Sequence, residues 1–198
     1  MRIVTGLACL VLLAGCTPAA PPSTPPPSTS SPTPTPTPSP SPSPSPSPTP
    51  VESFPPAPPS EKGEKADIRA GWEAYESARD LYYRDPDLTD WTALNKVTVG
   101  SEISRAMGAI ATAREMNLKQ RGQRIFRDVE IRKAKTSADG VRSVVVSYCS
   151  DPSQLDMVDT KTGESVPRSE TLAAEVTMQL QPDGSWRAAL YTSEFTPC

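Results

Sequence analysis

Residues 31–50 are ten consecutive Ser-Pro or Thr-Pro dipeptides. Each proline fixes its own φ and pushes the preceding residue toward extended backbone, so the run favours polyproline II and excludes a helix or a central strand. The run lies within residues 17–60, a stretch of 44 residues with 20 prolines and 18 serines or threonines. Because few apolar residues remain to form a core, we predict that residues 16–64 form a disordered stalk. The 44 residues of 17–60 could reach roughly 136 Å if fully extended.

The residues before the stalk indicate export. Arg2 is followed by an apolar run from Ile3 to Leu13, which is shorter than the about 20 residues of a membrane-spanning helix but has the length of a signal-peptide core. The run ends in Leu13-Ala14-Gly15-Cys16, which resembles the lipobox of bacterial lipoproteins. That resemblance implies removal of residues 1–15, a lipid on the Cys16 sulfur and anchoring to the extracytoplasmic face of the cell membrane. The alternative is an ordinary signal peptide with a chance cysteine.

The remaining cysteines predict a disulfide bond. With Cys9 in the signal peptide and Cys16 acylated, only Cys149 and Cys198 are left. Two cysteines in an exported domain indicate a disulfide, which here has one pairing and stabilises the fold by about 4 kcal/mol at most. The alternative, a reactive thiol pair, is disfavoured because no CxxC motif or basic neighbour lowers the pKa of either thiol.

Residues 65–198 have the patterning of one α+β domain. Apolar spacing predicts a long helix at 67–84, a short helical turn at 90–94 and a second long helix at 99–119. After Gly122 the spacing of the apolar residues changes from a period of 3.6 to a period of two residues. This alternation predicts strands at 125–131, 141–149, 172–180 and 186–190. Helices followed by hairpins predict an antiparallel sheet that carries the helices on one face.

The same patterns assign residues to faces. In the first helix, the acids Glu73, Glu76 and Asp80, together with Arg69, fall outside the apolar stripe. In the strands, alternation predicts that three sets of apolar residues point inward: Ile125, Val129 and Ile131; Leu172, Ala174, Val176, Met178 and Leu180; and Trp186, Ala188 and Leu190.

Several short strings resemble the nuclear transport factor 2-like superfamily, and in particular its actinobacterial lipoprotein members. The strings are Trp72–Tyr75 (WEAY), Val145–Asp151 (VVSYCSD), Val158-Asp159 before Thr162-Gly163, Asp183–Trp186 (DGSW) and the terminal Pro197-Cys198. The resemblance implies a curved sheet wrapped around the helices into a cone with an internal pocket. Isomerases, dehydratases, small-molecule binders and protein-interaction modules share that architecture, so the fold does not select a function.

Catalytic and metal chemistry find little support in the sequence. The chain has no histidine, which excludes Ser-His-Asp and Cys-His catalysis and every His-ligated metal site. No nucleotide-binding glycine motif is present, and we predict no cofactor and no metal. The candidate acids Asp128, Glu130 and Glu175 are expected to face solvent.

Four aromatic residues are candidates for the lining of the implied pocket: Tyr75, Tyr82, Trp91 and Trp186. Such rings either line a cavity or form ordinary core, and their helical spacing favours core. A carboxylate buried beside them would have a raised pKa and could serve as a general base, but no spacing of acids demands that interpretation.

The sequence therefore favours a non-catalytic envelope lipoprotein that presents a binding domain on a stalk. Its expected partners are the cell membrane, through the lipid, and a cell-wall component, an envelope protein or a small apolar ligand. A net charge of −3 excludes a basic nucleic-acid footprint. The alternatives are an enzyme of the ketosteroid isomerase or dehydratase type and a prophage-encoded surface lipoprotein that excludes a second phage.

Overall fold

A computed structural model describes residues 52–167 and 170–198 of the chain. The predicted signal peptide, Cys16 and most of the predicted stalk lie outside the described residues. Within the described residues the helices precede the strands, in the order α1 (Glu64–Arg84), α2 (Thr92–Val97), α3 (Ser101–Glu115), β1 (Leu118–Gly122), β2 (Ile125–Ile131), β3 (Lys135–Thr136), β4 (Arg142–Asp151), β5 (Leu155–Asp159), β6 (Leu172–Leu180) and β7 (Trp186–Glu194).

The strands form two antiparallel sheets. The larger sheet has the order β2-β4-β6-β7, and β3 pairs with the start of β4, while β1 and β5 form a separate two-stranded sheet. Helices α1 and α3 pack on the larger sheet at β7. The predicted α+β fold, with helices on one face of an antiparallel sheet, is confirmed.

Helix α1 forms because its apolar residues recur at helical spacing. Ile68, Trp72, Tyr75 and Tyr82 are each at most 1% exposed, and they anchor two apolar clusters between the helices and the sheet. The helix begins three residues before the predicted start, with the acidic Glu64 in its first turn, where the helix dipole favours negative charge.

The second long helix is shorter than predicted. Helix α3 ends at Glu115, and Asn117 takes a positive φ of 57° that turns the chain out of the helix. The following residues pair as β1 with β5, two strands that the sequence patterns did not predict. Helix α2 likewise lies two to three residues beyond the turn predicted at 90–94.

A bulge in β2 overturns the predicted alternation of that strand. Asp128 takes a φ of 53°, and the pairing with β4 shifts between Arg127 and Glu130. Since the bulge inserts an extra residue, Phe126 and Ile131 point into the core, at 2% and 6% exposure. Ile125, predicted to share the buried face, is only half-buried.

The pairing of β7 with β6 contains a second register shift, like the one between β2 and β4. Trp186 and Ala188 are buried as predicted, but the pairing with β6 shifts between Thr177 and Met178. Beyond that point the parity reverses, so Leu190 is 49% exposed, and Tyr191 lies opposite the buried Val176. In β6 itself Ala174, Val176 and Met178 follow the prediction, at 3%, 0% and 0% exposure.

Residues 52–63, just before α1, belong to the stretch that the sequence pattern places in the stalk. In the structure they pack on the domain. The Phe54 ring stacks on Phe126 at 4.9 Å and meets the edge of Trp72 at 5.4 Å. The backbone N–H of Phe126 donates to the carbonyl of Ser53 at 2.8 Å, and Arg69 donates to Glu61 at 2.9 Å. We call residues 52–63 the leading segment. Within the described residues, no helix has the length and apolar character needed to cross a membrane.

Gly71 sets how closely α1 approaches β7. A β-carbon on Gly71 would lie 2.5 Å from the carbonyl oxygen of Trp186 and 2.9 Å from its β-carbon. We therefore expect Gly71→Ala to lower the free energy of unfolding by about 2 kcal/mol, although alanine favours helix. The measurement is urea unfolding of the parent and the variant.

Gly108 supplies a matched control in α3, because apart from the adjacent helix backbone no atom of the described residues lies within 4 Å of the β-carbon that alanine would add there. Gly108→Ala should raise stability by up to about 1 kcal/mol through helix propensity alone. Equal effects of the two substitutions would contradict the close packing of α1 on β7.

Candidate functional site

A buried carboxylate on α1 lies at the centre of the space between the helices and the sheet. The side chain of Glu76 is 0% exposed. Its two oxygens each accept a hydrogen bond from Arg79 at 3.1 Å, and Oε1 also accepts one from the hydroxyl of Tyr148 on β4. The guanidinium of Arg124 lies 3.5 Å from Oε2. Glu76 is thus fully surrounded by donors from α1, β4 and the residues before β2.

A second buried carboxylate, Glu102 on α3, is bound in the same manner. Its side chain is 0% exposed. Arg105 donates to its two oxygens at 2.7 and 2.5 Å, and the backbone N–H of Tyr191 donates at 3.0 Å. The hydroxyl of Tyr75 on α1 is the fourth donor. This carboxylate therefore connects α3 to α1 and to β7.

The ring of Tyr191 lies between the two arginines that bind these carboxylates, and it contacts both of them. The guanidinium carbon of Arg79 lies 4.4 Å from the ring centroid and that of Arg105 lies 4.5 Å from it, both within the range of a cation–π contact. We call Glu76, Arg79, Glu102, Arg105 and Tyr191, with the donors Tyr75, Tyr148 and Arg124, the buried charge network.

Burial fixes the protonation states in this network. It raises the pKa of the Tyr148 hydroxyl well above its usual value, and the Glu76 carboxylate raises it further. Burial likewise raises the pKa of Tyr75. For Arg79, burial alone would lower the pKa, but the charge of Glu76 and the neighbouring tyrosine oxygens raise it well above the usual value. Both tyrosines therefore stay protonated as donors, and Arg79 stays cationic.

Sequence patterns did not identify these residues as a site. Glu76 was assigned to a face outside the apolar stripe, and Glu102 was not singled out. The available signal was the pair of Glu-x-x-Arg spacings, Glu76 with Arg79 and Glu102 with Arg105. An i, i+3 ion pair of this kind is usually a feature of a solvent-exposed helix surface, and only the tertiary contacts distinguish the buried case.

The four aromatic candidates for a pocket belong to core packing. Tyr75 and Tyr82 are 0% exposed and Trp186 is 5% exposed. The hydroxyl of Tyr82 donates to the carbonyl of Asp90 at 2.6 Å, and its ring stacks on the half-buried Trp91 at 4.8 Å. Their placement agrees with the core interpretation that helical spacing favoured.

The predicted acids lie away from the buried charge network. Asp128 and Glu130 are exposed on β2. Glu175 is 45% exposed on the sheet face opposite the helices, where it pairs with Arg132. All three face solvent, as expected.

The Cys149–Cys198 disulfide closes one end of that outer sheet face. The two Cα atoms are 5.7 Å apart, and the pairing is the predicted one. Beside it lies an open cleft of about 490 Å³, which we call the disulfide cleft. It is lined by side chains and backbone of Asp128, Ser147, Tyr148, Cys149, Ala173, Ala174, Glu175, Thr192, Ser193, Glu194 and Cys198.

The disulfide cleft is acidic and partly apolar. Asp128, Glu175 and Glu194 contribute carboxylates, while the alanines and the disulfide contribute apolar surface. Across residues 52–167 and 170–198, no group of three or more Cys, Asp or Glu side chains is arranged to hold a metal ion.

The sequence matches no protein-family model and no curated protein. Among solved structures, the intermembrane-space region of the chloroplast protein ARC6 has a TM-score of 0.49 at 12% identity, covering 68% of this chain and 99% of that one. A ketosteroid isomerase-like protein from Erwinia carotovora atroseptica has a TM-score of 0.40 at 15% identity, covering 65% and 92%. A periplasmic fragment of TraM has a TM-score of 0.38 at 17% identity, covering 67% and 98%. At these values, the α+β assignment rests on the helices and strands themselves.

Removal of the Glu102 charge should destabilise the fold. In Glu102→Gln, the donors of Arg105, Tyr75 and Tyr191 lose a fully buried anionic acceptor, and we expect the free energy of unfolding to fall by about 3 kcal/mol. The measurement is chemical unfolding at neutral pH.

Glu64→Gln is the control for the loss of one negative charge. It breaks an ion pair with Arg142 in which the two side chains are 45% and 36% exposed, so we expect only a small change in the free energy of unfolding. A similar small change for Glu102→Gln would mean that its carboxylate is solvated.

Proposed function

We propose that this protein is a lipid-anchored, extracytoplasmic protein that presents a non-catalytic binding domain on a proline-rich stalk. The anchor is the lipid on Cys16, and the stalk is the Ser/Thr-Pro run that follows it. The domain begins at the leading segment, where Phe54 packs on the core. The ligand or partner binds at the surface of that domain.

The buried charge network is the observation that supports a binding domain rather than an enzyme. An isomerase or dehydratase of the type considered needs a carboxylate that faces an apolar cavity and can reach a substrate proton. Glu76 and Glu102 instead accept hydrogen bonds from arginines, tyrosines and a backbone N–H. Because their oxygens already accept these hydrogen bonds, they are poor candidates for a general base that abstracts a proton from a substrate. This favours a binding protein over an enzyme of that type.

The extracytoplasmic part is supported by the disulfide. Structural disulfides persist in oxidising compartments and are rare in the cytosol. Cys149 is 2% exposed, and its bond to Cys198 links the end of β4 to the C-terminal residues. The disulfide cleft is one surface site that a cell-wall or envelope partner could use, and its three carboxylates favour a partner with basic groups.

The anchor is tested by Cys16→Ala in the native host. Because only a thiol can form the thioether to the lipid, we expect the variant to leave the membrane fraction. Fractionation followed by immunoblotting measures the distribution.

Cys9→Ala is the matched control, since Cys9 lies in the predicted signal peptide and should not affect anchoring. Membrane association that persists in Cys16→Ala would contradict the lipid anchor. Release of both variants would indicate a defect in export rather than in lipidation.

A further inference from the structure

The Cys149–Cys198 bond joins one buried and one exposed residue. Cys149, near the end of β4, is 2% exposed, whereas Cys198 is exposed and lines the disulfide cleft. Thiol–disulfide exchange begins when a thiolate attacks one sulfur and the other sulfur leaves. A thiolate that enters from solvent meets Cys198 first, so the exposures favour attack on Cys198 with Cys149 as the leaving group.

A guanidinium lies beside the sulfur that would leave. Arg127 on β2 pairs in register with Cys149, and its Nη2 lies 3.9 Å from the Cys149 Sγ. A neighbouring arginine lowers the pKa of a thiol, and a thiol of lower pKa leaves faster. The sequence pattern showed no basic neighbour, because Arg127 and Cys149 are 22 positions apart and meet only through strand pairing.

Asp151 shares the same guanidinium. Its Oδ2 lies 3.1 Å from the Nη2 of Arg127, in a pair whose side chains are 18% and 46% exposed. Because solvent screens a pair of this kind, the carboxylate holds Arg127 only weakly. A thiolate formed at Cys149 therefore adds a second anion within reach of a guanidinium that stays cationic.

Cys198 is held weakly apart from its disulfide. Its backbone N–H donates to the Thr171 hydroxyl at 3.4 Å, and that hydroxyl donates to the carbonyl of Thr196 at 3.5 Å. Both bonds are longer than usual. The Phe195 ring is 71% exposed, and residues 195–198 follow the end of β7. Cys198 can thus turn toward solvent with an attached thiol while the sheet stays intact.

The disulfide cleft has the room and the charge for a small cationic thiol. Its volume is about 490 Å³, and the small side chain of Ala173 lies between the strand positions of Cys149 and Glu194. Asp128 and Glu175 also line the cleft. Although Glu175 is paired with an arginine, the remaining carboxylates attract an amino group and repel an anionic thiol.

We propose that the Cys149–Cys198 bond is a thiol–disulfide exchange site for a small thiol that carries an amino group. The thiolate attacks the Sγ of Cys198, a new S–S bond forms there, and the Cys149–Cys198 bond breaks. Its electron pair goes to Cys149, whose thiolate is stabilised by Arg127. Attack by Cys149 on the mixed disulfide expels the thiol and restores the original bond, so the cycle needs no oxidant. This reaction goes beyond the proposed binding function and does not depend on the lipid anchor.

Exchange is measured on the full chain in a zwitterionic detergent, with cysteamine as the thiol. The reaction is quenched with acid at early times, free thiols are alkylated with N-ethylmaleimide, and tryptic peptides are analysed by mass spectrometry. Cys149 and Cys198 fall in different tryptic peptides, residues 143–161 and 188–198. We expect the cysteamine adduct on residues 188–198 and the maleimide on residues 143–161.

Arg127→Gln tests the leaving group. Because Cys149 would leave with a higher pKa, we expect the rate of adduct formation to fall by about threefold. Arg132→Gln is the matched control, since it removes the same charge from the same sheet face but from a pair with Glu175. It should react at nearly the parental rate, and thermal unfolding confirms that both variants are folded.

The anionic thiol 2-mercaptoethanesulfonate tests the charge preference. Each thiol's rate is divided by its rate with 2-hydroxyethyl disulfide, a neutral reference, which removes the difference in intrinsic reactivity. The normalised rate should be lower than that of cysteamine by about threefold or more, because the carboxylates of the cleft repel the sulfonate.

The proposal is overturned if no mixed disulfide forms, if the adduct lies on Cys149, or if Arg127→Gln and Arg132→Gln react at the same rate. Equal normalised rates for the two thiols would contradict the amino-thiol class. None of these results alters the fractionation of Cys16→Ala, so a failed exchange site and a failed membrane anchor are distinguishable.

Discussion

The hydrogen bonds to the buried carboxylate of Glu76 hold the domain together. Removal of this charge from water costs several kcal/mol, which only close pairing can offset. Arg79 donates from one turn further along α1 and Tyr148 donates from β4, so the carboxylate links the helix to the sheet. Gly71 then lets the helix approach β7, and Glu102 attaches α3 to the same assembly. The arrangement of the helices on the sheet depends on these charged contacts as well as on apolar packing.

The buried charge network fills the space between the helices and the sheet, which is why our proposal places binding at the surface of the domain. The interior, where a cone-shaped fold could hold a substrate, is occupied by Arg79, two tyrosine rings and two paired carboxylates. On the outer face of the larger sheet, the disulfide cleft is acidic and shaped by the Cys149–Cys198 bond.

The sequence predicted the elements whose periodicity is uninterrupted. The apolar stripe that includes Trp72 and Tyr75 predicted α1, and the alternation of apolar and polar residues around Val176 predicted β6. Both predictions succeed because burial of one face makes apolar residues recur at a regular spacing. Periodicity fails at the bulge of Asp128, where one extra residue reverses the parity of β2. It also fails for the candidate site, since the Glu76-x-x-Arg79 spacing is the same whether the pair faces solvent or core. Only the donors contributed by distant elements, such as Tyr148, make the buried state favourable, and local sequence does not contain that information.

The contact between Glu76 and Tyr148 tests the account most directly, because it joins the first helix to the central strand across 72 positions of the chain. A double-mutant cycle of Glu76→Gln and Tyr148→Phe, followed by urea unfolding, measures their coupling free energy. A direct hydrogen bond to a buried charge predicts a coupling of about 1–3 kcal/mol. If the two substitutions are additive to within about 0.5 kcal/mol, the two side chains do not interact, and a buried charge network cannot be what fixes the helices on the sheet.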